Sequence, residues 1–294
     1  MSATAPISPA TSTLQAPGDG RLPERLRVHF ELERQLADRL RRAPAQERLG
    51  LYAQVYDELF DKLPDHPQHQ APAQSQQALA AQQWRLLGAF AKPWHRLVEI
   101  GPGDCALARL ACAHVRQVTA VDVSAAITQA NQRQALPLNL RIRLFDGVNL
   151  PLQAGAADLV YSHQLMEHLH PDDAQQQLRD IARSLASGGQ YVCVTPHRFS
   201  GPHDISAAFS DVPVGLHLHE YTGQELVDRC LAAGFAQAQV VIQLRNRVLT
   251  LPPTVLKWLE SQVEHLPTGV ARRDKMQRRP FSWLSTLCVV AQVA

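Results

Sequence analysis

Leu97-Val98-Glu99-Ile100-Gly101-Pro102-Gly103-Asp104-Cys105-Ala106 reads as a short apolar strand ending in an acidic residue, then a tight glycine turn and the start of a helix. Glycine is required at such a turn because a side chain would block either the backbone angles or the approach of a ligand to the peptide. The opening helical turn presents unpaired N–H groups, and Glu99 stands where a carboxylate can accept a bond from a ligand amine or hydroxyl. Alone, the run leaves other readings open. Gly101-x-Gly103-x-x-Ala106 also fits a dinucleotide fingerprint, and a strand-to-helix turn with glycines and no ligand looks the same.

Further stations follow downstream. Gln117-Val118-Thr119-Ala120-Val121-Asp122-Val123-Ser124 is a second strand ending in an acid, about twenty residues beyond the glycine turn. A carboxylate there can accept hydrogen bonds from both hydroxyls of a ribose. Enzymes that use NAD share the feature, so Asp122 points to a ribose without saying which cofactor carries it. Ser124 fits an N-cap for a helix over Ala125–Gln134. Leu140–Phe145 alternates as a third strand and ends at Asp146-Gly147, and Ala156–His163 is a fourth. Leu185–Pro196 reads as a helix C-terminus, a Gly188-Gly189 turn and a fifth strand. A dinucleotide enzyme predicts the same alternation but gives no reason for the Asp146 and Gly188-Gly189 stations.

In this order, residues 95–245 resemble the class I S-adenosylmethionine (SAM) dependent methyltransferases. The opening run resembles their motif I, acidic-x-Gly-x-Gly-x-Gly, with Cys105 in place of the third glycine. The resemblance implies an α/β fold: a Rossmann-like seven-stranded mixed sheet, its last strand antiparallel, with helices on both faces and an N-terminal helical cap. The apolar tail Leu284–Val293 fits the antiparallel strand, which lies between the fifth and sixth. It further implies that SAM contacts Glu99, Gly101, Pro102, Gly103, Asp122, Val123, Asp146, Gly147 and His163, with Asp146 bonding the adenine amino group. The strand ending at His163 resembles motif IV, which delivers residues to the methyl group.

The chain has 294 residues, 29 Lys and Arg against 27 Asp and Glu, and a formal charge of +2. The basic residues are dispersed, which argues against a nucleic-acid surface. The local clusters at 39–42 and 272–279 read as solvated helix faces. The five cysteines, at 105, 112, 193, 230 and 288, include no CxxC pair, as expected of reduced thiols in a cytoplasmic protein. Met1–Gly20 lacks a basic start and an apolar core, so it reads as a disordered leader rather than a signal peptide, and no apolar run approaches membrane-spanning length.

The expected organisation is therefore a leader over 1–20, a helical cap over 21–92 and a methyltransferase domain over 93–294. Insertions interrupt that domain at about 196–221, expected as a lid, and at about 250–281. The cap contains helices over 22–42, Ala45–Lys62 and Gln74–Phe90, separated by a turn at 65–69. It can wall in a substrate, pack on the sheet or join two copies as a homodimer.

Methyl transfer from a sulfonium is an in-line displacement, and a hydroxyl nucleophile must also lose a proton. His163-Gln164-Leu165-Met166-Glu167-His168-Leu169 lies at the end of the fourth strand, where a base is expected. It resembles the Glu-x-x-Glu-His pattern of the ubiquinone-pathway O-methyltransferases, in which two acids and the histidine are linked to a divalent metal. Gln164 replaces the first acid and removes an anionic ligand that a hard cation favours, so no metal ligand is expected. Glu167 and His168 are catalytic candidates, although His168 can equally be a structural histidine bonded to a backbone carbonyl.

The later set His197, His203, His217, His219 and Glu220 lacks zinc-signature spacing. It places His217 or His219 within the expected lid as an alternative base, and His219 joins the catalytic candidates. No Asn/Asp-Pro-Pro-aromatic run follows the fourth strand and no cysteine follows proline. The base-methylating patterns are thus missing, and a hydroxyl of a small molecule or a glycan is the expected acceptor. An N- or C-methyltransferase, or a scaffold that binds SAM without catalysis, are the alternatives.

Overall fold

The computed structural model describes residues 21–67, 73–244 and 247–294; the expected leader and the end of the turn at 65–69 lie outside them. The strands are β1 (Arg96–Ile100), β2 (Gln117–Asp122), β3 (Leu140–Leu144), β4 (Ala157–His163), β5 (Leu185–Pro196), β6 (Gln237–Leu244), β7 (Arg247–Thr250) and β8 (Thr286–Gln292). They form one sheet in the order β3-β2-β1-β4-β5-β8-β6-β7. Strands β1 to β5 pair in parallel, and β8 runs antiparallel between β5 and β6, in the place expected for the tail.

Two details differ from the expectation. Among the described residues the sheet has eight strands rather than seven, because β7 pairs antiparallel with β6. Strand β7 is short and mostly exposed, so it lacks the half-buried alternation that marks a strand in sequence. The Gly188-Gly189 pair, expected as a turn, lies inside β5. The preceding helix ends at Ser184, and Gly188 at φ 72° lets the chain continue as strand while the register with β4 shifts between Ala157 and Leu159.

Alternation along the strands divides the interior into two cores. Val98, Ile100, Val160, Val289 and Ala291 face one side, while Leu97, Leu159, Tyr161, Cys288 and Val290 face the other. Helices α1 (Pro23–Arg42), α2 (Ala45–Lys62), α6 (Pro171–Ser184), α7 (Gly223–Ala232) and α8 (Pro253–Glu264) supply residues to the first core. Helices α3 (Ala73–Leu87) and α4 (Ala106–Ala111) supply the second. Two shorter helices are α5 (Ala125–Gln132) and α9 (Val270–Met276). The N-terminal helices are thus split between the two sheet faces, with α1 and α2 on one and α3 on the other.

A buried ion pair joins α2 to α6. Arg48 donates from Nε to Asp173 Oδ2 at 2.6 Å and from Nη2 to Oδ1 at 2.8 Å. Tyr52 Oη donates to Asp173 Oδ2 at 2.6 Å and accepts from the His170 backbone N–H at 3.0 Å. Breaking such a pair strands a charge in the interior, whereas replacing both partners with apolar groups does not. Asp173→Ala is therefore expected to cost about 3–5 kcal/mol in urea unfolding, and Arg48→Met with Asp173→Leu much less. Equal losses in the two proteins would refute this role for the pair.

Candidate active site

The strand order reverses beside β1, which lies between β2 and β4. Ligands of open α/β sheets bind at the carboxyl ends of the strands at such a switch point. Parallel registry places Ile100 beside Val121 on one side and Ser162 on the other, so the ends of all three strands converge. The backbone N–H of Gly101, at φ 69°, donates to Val121 O at 2.9 Å. Gly103, at φ 52°, has no atom within 4 Å of where a Cβ would project, which leaves an open cradle beside the backbone. Pro102 packs buried between them. Cys105 keeps the left-handed conformation of the glycine it replaces, at φ 58°, with its side chain fully buried. Burial pushes its thiol up to about 12, so it is neutral and unreactive.

Two acids flank this turn. Glu99 is buried at the end of β1, and its Oε2 has no hydrogen-bond partner. Burial, with the nearby charges of Asp104 and Asp122, pushes its carboxyl up to about 8. Asp122 ends β2 and accepts from Ser124 N at 2.8 Å. Burial raises its pKa against the opposing pull of the Ser124, Gly103 and Val123 N–H groups. Ser124 also caps α5, as expected, through Oγ and Ile127 N at 3.2 Å.

Asp146 is committed to its own loop. Its Oδ1 accepts from Val148 N and Asn149 N at 2.8 and 2.7 Å, and Oδ2 from Asn149 Nδ2 at 2.7 Å. Next to it, Gly147 at φ 93° lies between Tyr52 of α2 and Val123. A Cβ there would stand 3.2 Å from each. His163, at the end of β4, is held neutral because burial lowers its pKa to about 4.

Beyond β4 the chain makes a single tight turn over Met166–His168 rather than the longer helix that would set His163 and Gln164 one turn behind Glu167. Gln164 is exposed, with φ at 53°. Glu167 is completely buried; Thr195 Oγ1 donates to its Oε2 at 2.8 Å, and Oε1 has no partner. Burial pushes Glu167 up to about 7. His168 Nδ1 lies 3.1 Å from Leu216 O; a carbonyl accepts only, so Nδ1 carries the proton and Nε2 keeps its lone pair. Burial and the neighbouring His217 lower the pKa of His168 to about 3. The rings of Tyr56 and His217 meet it edge-on, with centroids at 5.9 and 4.8 Å.

The wall opposite comes from segment 197–221. His217 Nδ1 bonds Glu220 Oε1 at 2.8 Å, and Glu220 Oε1 also accepts from His203 N at 2.7 Å. Burial works against a charge on His217, but the bond to Glu220 and the charges of Glu167 and Asp204 outweigh it, so its pKa is raised. The segment is fastened to α1: Glu33 Oε2 accepts from Leu216 N at 3.1 Å, and Arg41 donates to Val214 O and Gly215 O, both at 3.0 Å.

Of the sequence candidates, Glu167, His168 and His217 share this chamber and His219 does not. His219 Nε2 turns to Glu225 Oε1 of α7 at 2.7 Å, and it reaches Glu167 through its backbone N–H alone, at 3.1 Å from Glu167 O. The His219 ring thus stands apart from the chamber that the other three share. His197 is fully buried between Glu260 Oε1 at 3.0 Å and Phe199 N at 3.0 Å, a structural arrangement. Sequence reading missed Glu33, Tyr52, Tyr56 and Thr195. A signal was present for Glu33: it lies with His29 on the buried stripe of Leu26, Leu36 and Leu40, and a charged residue at a core-facing helical phase needs a partner. A cleft of about 690 Å³ lies elsewhere, between α7 and α8. Arg198, Lys257, Glu225 and Asp228 are among its lining, and none of the strand-end residues is.

Residues 98–193 match a family model described as a methyltransferase domain. No curated protein matches the sequence. Solved structures that share the fold include the following three. A chain from the Haloferax volcanii complex containing the Trm112 methyltransferase activator is 18% identical, with 74% of this chain and 96% of that one covered and a TM-score of 0.51. A SAM-dependent methyltransferase from Mesorhizobium loti is 17% identical over 71% of this chain and 97% of its own, with a TM-score of 0.50. Phosphoethanolamine N-methyltransferase 1 of Haemonchus contortus is 16% identical, with 85% of this chain and 50% of that one covered and a TM-score of 0.55.

The buried Glu99 yields a test by itself. Its folded pKa of about 8 stands above the ordinary 4.5, so between those values the folded chain holds a proton that the unfolded chain has released. Stability of the ligand-free protein should therefore fall as pH rises through that window, and Glu99→Gln should flatten the fall. Melting temperatures from pH 5 to 9 measure this; parallel curves for the two proteins would show a solvated carboxyl.

Proposed function

We propose that this SAM-dependent methyltransferase passes its methyl group to a hydroxyl of a small molecule or glycan. When bound, SAM supplies a methyl group activated by the sulfonium. The residues at the strand ends fit it. The open backbone at Gly103 leaves space beside the glycine turn, and Glu99 Oε2 is a buried acceptor awaiting a donor. Asp122, at the end of β2, is the acceptor for the ribose hydroxyls. Pro102, Val123, Gly147 and His163 line the same edge, and Asp146 retains limited acceptor capacity for an adenine amino group, because its loop already uses much of it.

The observation that carries the hydroxyl reading is the unpartnered, fully buried Oε1 of Glu167. A carboxylate in that condition can accept the proton that a hydroxyl must lose, and no internal donor competes for it. His168 stands beside it in the neutral form, its Nδ1 held by Leu216 O. Its Nε2 can therefore accept from an acceptor hydroxyl and orient the oxygen. Tyr52, set over Gly147 and held by its bond to Asp173, stands at the same strand edge.

Two measurements test this. Asp122→Ala should weaken SAM binding by about 1.5–3 kcal/mol in calorimetry, as loss of charge-assisted bonds to a ribose does; unchanged affinity would take Asp122 out of the donor site. Glu167→Gln should lower turnover by about 10²–10⁴ on a panel of hydroxylated acceptors, with SAM affinity unchanged. Transfer to amines alone, at a rate that ignores this substitution, would replace the hydroxyl reading with N-methylation.

A further inference from the structure

We infer that His217, held by Glu220, is the counter-charge that keeps the buried Glu167 ionised, and is thus a positioning residue for the base. The inference rests on the proposed function and leaves Glu167 Oε1 and the His168 ring in the roles given there.

An oxygen of Glu167 and a ring nitrogen of His217 lie within 4.8 Å of each other. His217 spends Nδ1 on Glu220 Oε1 at 2.8 Å, which leaves Nε2 free. No hydrogen bond joins His217 to Glu167, since Oε2 accepts from Thr195 and Oε1 has no partner. Charge acts across such a gap, whereas a hydrogen bond would occupy the lone pair that an incoming proton needs. Glu167, Glu220 and His217 are only 0%, 2% and 6% exposed, so solvent ions screen the three charges little.

A buried carboxyl left to itself favours its protonated form, which cannot take a proton from a hydroxyl. Burial raises Glu167, and the His217 charge is the largest pull in the other direction, ahead of the Thr195 bond. Burial also works against the charge on His217, so His217 needs an anion of its own. Glu220 supplies it, fixed in place by the His203 N–H at 2.7 Å. Asp204 adds to it, accepting from the His217 backbone N–H at 3.3 Å.

The other groups around the pair keep their charge near neutral pH. Burial lowers the His168 and His203 rings, which stay neutral. Burial likewise raises the Tyr56 and Tyr221 phenols and the Cys193 thiol, which stay protonated. Burial opposes ionisation of Glu33, but its bonds to His29 and Leu216 N help to outweigh this and its pKa is lowered. Arg41, which reaches the His217 carbonyl at 3.4 Å, is permanently charged. During transfer the hydroxyl proton passes to Glu167 Oε1 as the oxygen takes the methyl from the sulfonium. His217 keeps both its ring protons throughout, and the proton on Glu167 goes to water when the product leaves.

The test measures kcat from pH 5 to 9 in the full chain, on the hydroxylated acceptors. In the parent, turnover should fall on the acid side as Glu167 takes up a proton. His217→Gln removes the neighbouring cation, so the Glu167 pKa rises and the acid limb should move up by about one pH unit or more. SAM affinity and circular dichroism should match the parent. His217→Lys, which restores a cation without an imidazole, should bring the limb back toward its original place. A merely structural histidine would lower turnover equally at every pH; that result, or an unmoved limb, overturns the inference. Nuclear magnetic resonance of the parent gives a reading that needs no variant. The His217 ring should carry both protons at pH 7, and a neutral ring overturns the role. An acid limb lost in Glu167→Gln but unmoved in His217→Gln strikes His217 alone. Turnover indifferent to Glu167→Gln strikes the proposed function itself.

Discussion

The paired charges of Arg48 and Asp173 fix the orientation of two parts of the molecule that lie far apart in the sequence. Arg48 lies on α2, ahead of the first strand, and Asp173 opens α6, beyond the fourth; both are buried. Because Tyr52 shares the Asp173 carboxylate, the same contact sets a phenol ring against Gly147 and Val123 at the end of the sheet. The first turn of α6 is held as well, since Tyr52 Oη accepts from the His170 N–H. Apolar packing sets the distance between α2 and α6 but not their orientation. A bidentate guanidinium–carboxylate pair sets both.

Two acids near this junction are buried, and their protonation shows the consequence. Glu99 and Glu167 are both pushed toward neutral pH by burial, each with one oxygen left unpartnered. Interiors rarely tolerate such atoms, and they persist where function supplies the partner. Glu99 lies at the end of β1 and Glu167 in the turn after β4. Under the proposed function, the first would accept from the methyl donor and the second would take the proton of the recipient.

Much of this was legible from the sequence for a definite reason. Strand ends such as Glu99, Asp122 and His163 are announced locally, by apolar alternation that stops at a polar residue and by glycines that permit the turn. The chamber is built from contacts distant along the chain, and local pattern says little about those. His217 and His219 look equivalent as sequence, two residues apart, yet one meets Glu220 and His168 while the other turns out to Glu225. Glu33 was readable in principle, as a charge on the apolar stripe of α1. Its partner, the Leu216 N–H, was not, because backbone donors carry no sequence signature. The eighth strand escaped because β7 buries too little to leave a pattern.

The fastening of segment 204–217 to α1 gives the molecule a cooperative unit distinct from the sheet. Glu33 and Arg41 hold the segment's backbone, Asp204 and Ser206 hold its own turns, and His168 takes the Leu216 carbonyl. These are mostly bonds to charged or buried groups, so they do not fray singly. Segment and helix are tied by bonds that run from one to the other, so displacing either means breaking contacts of both at once.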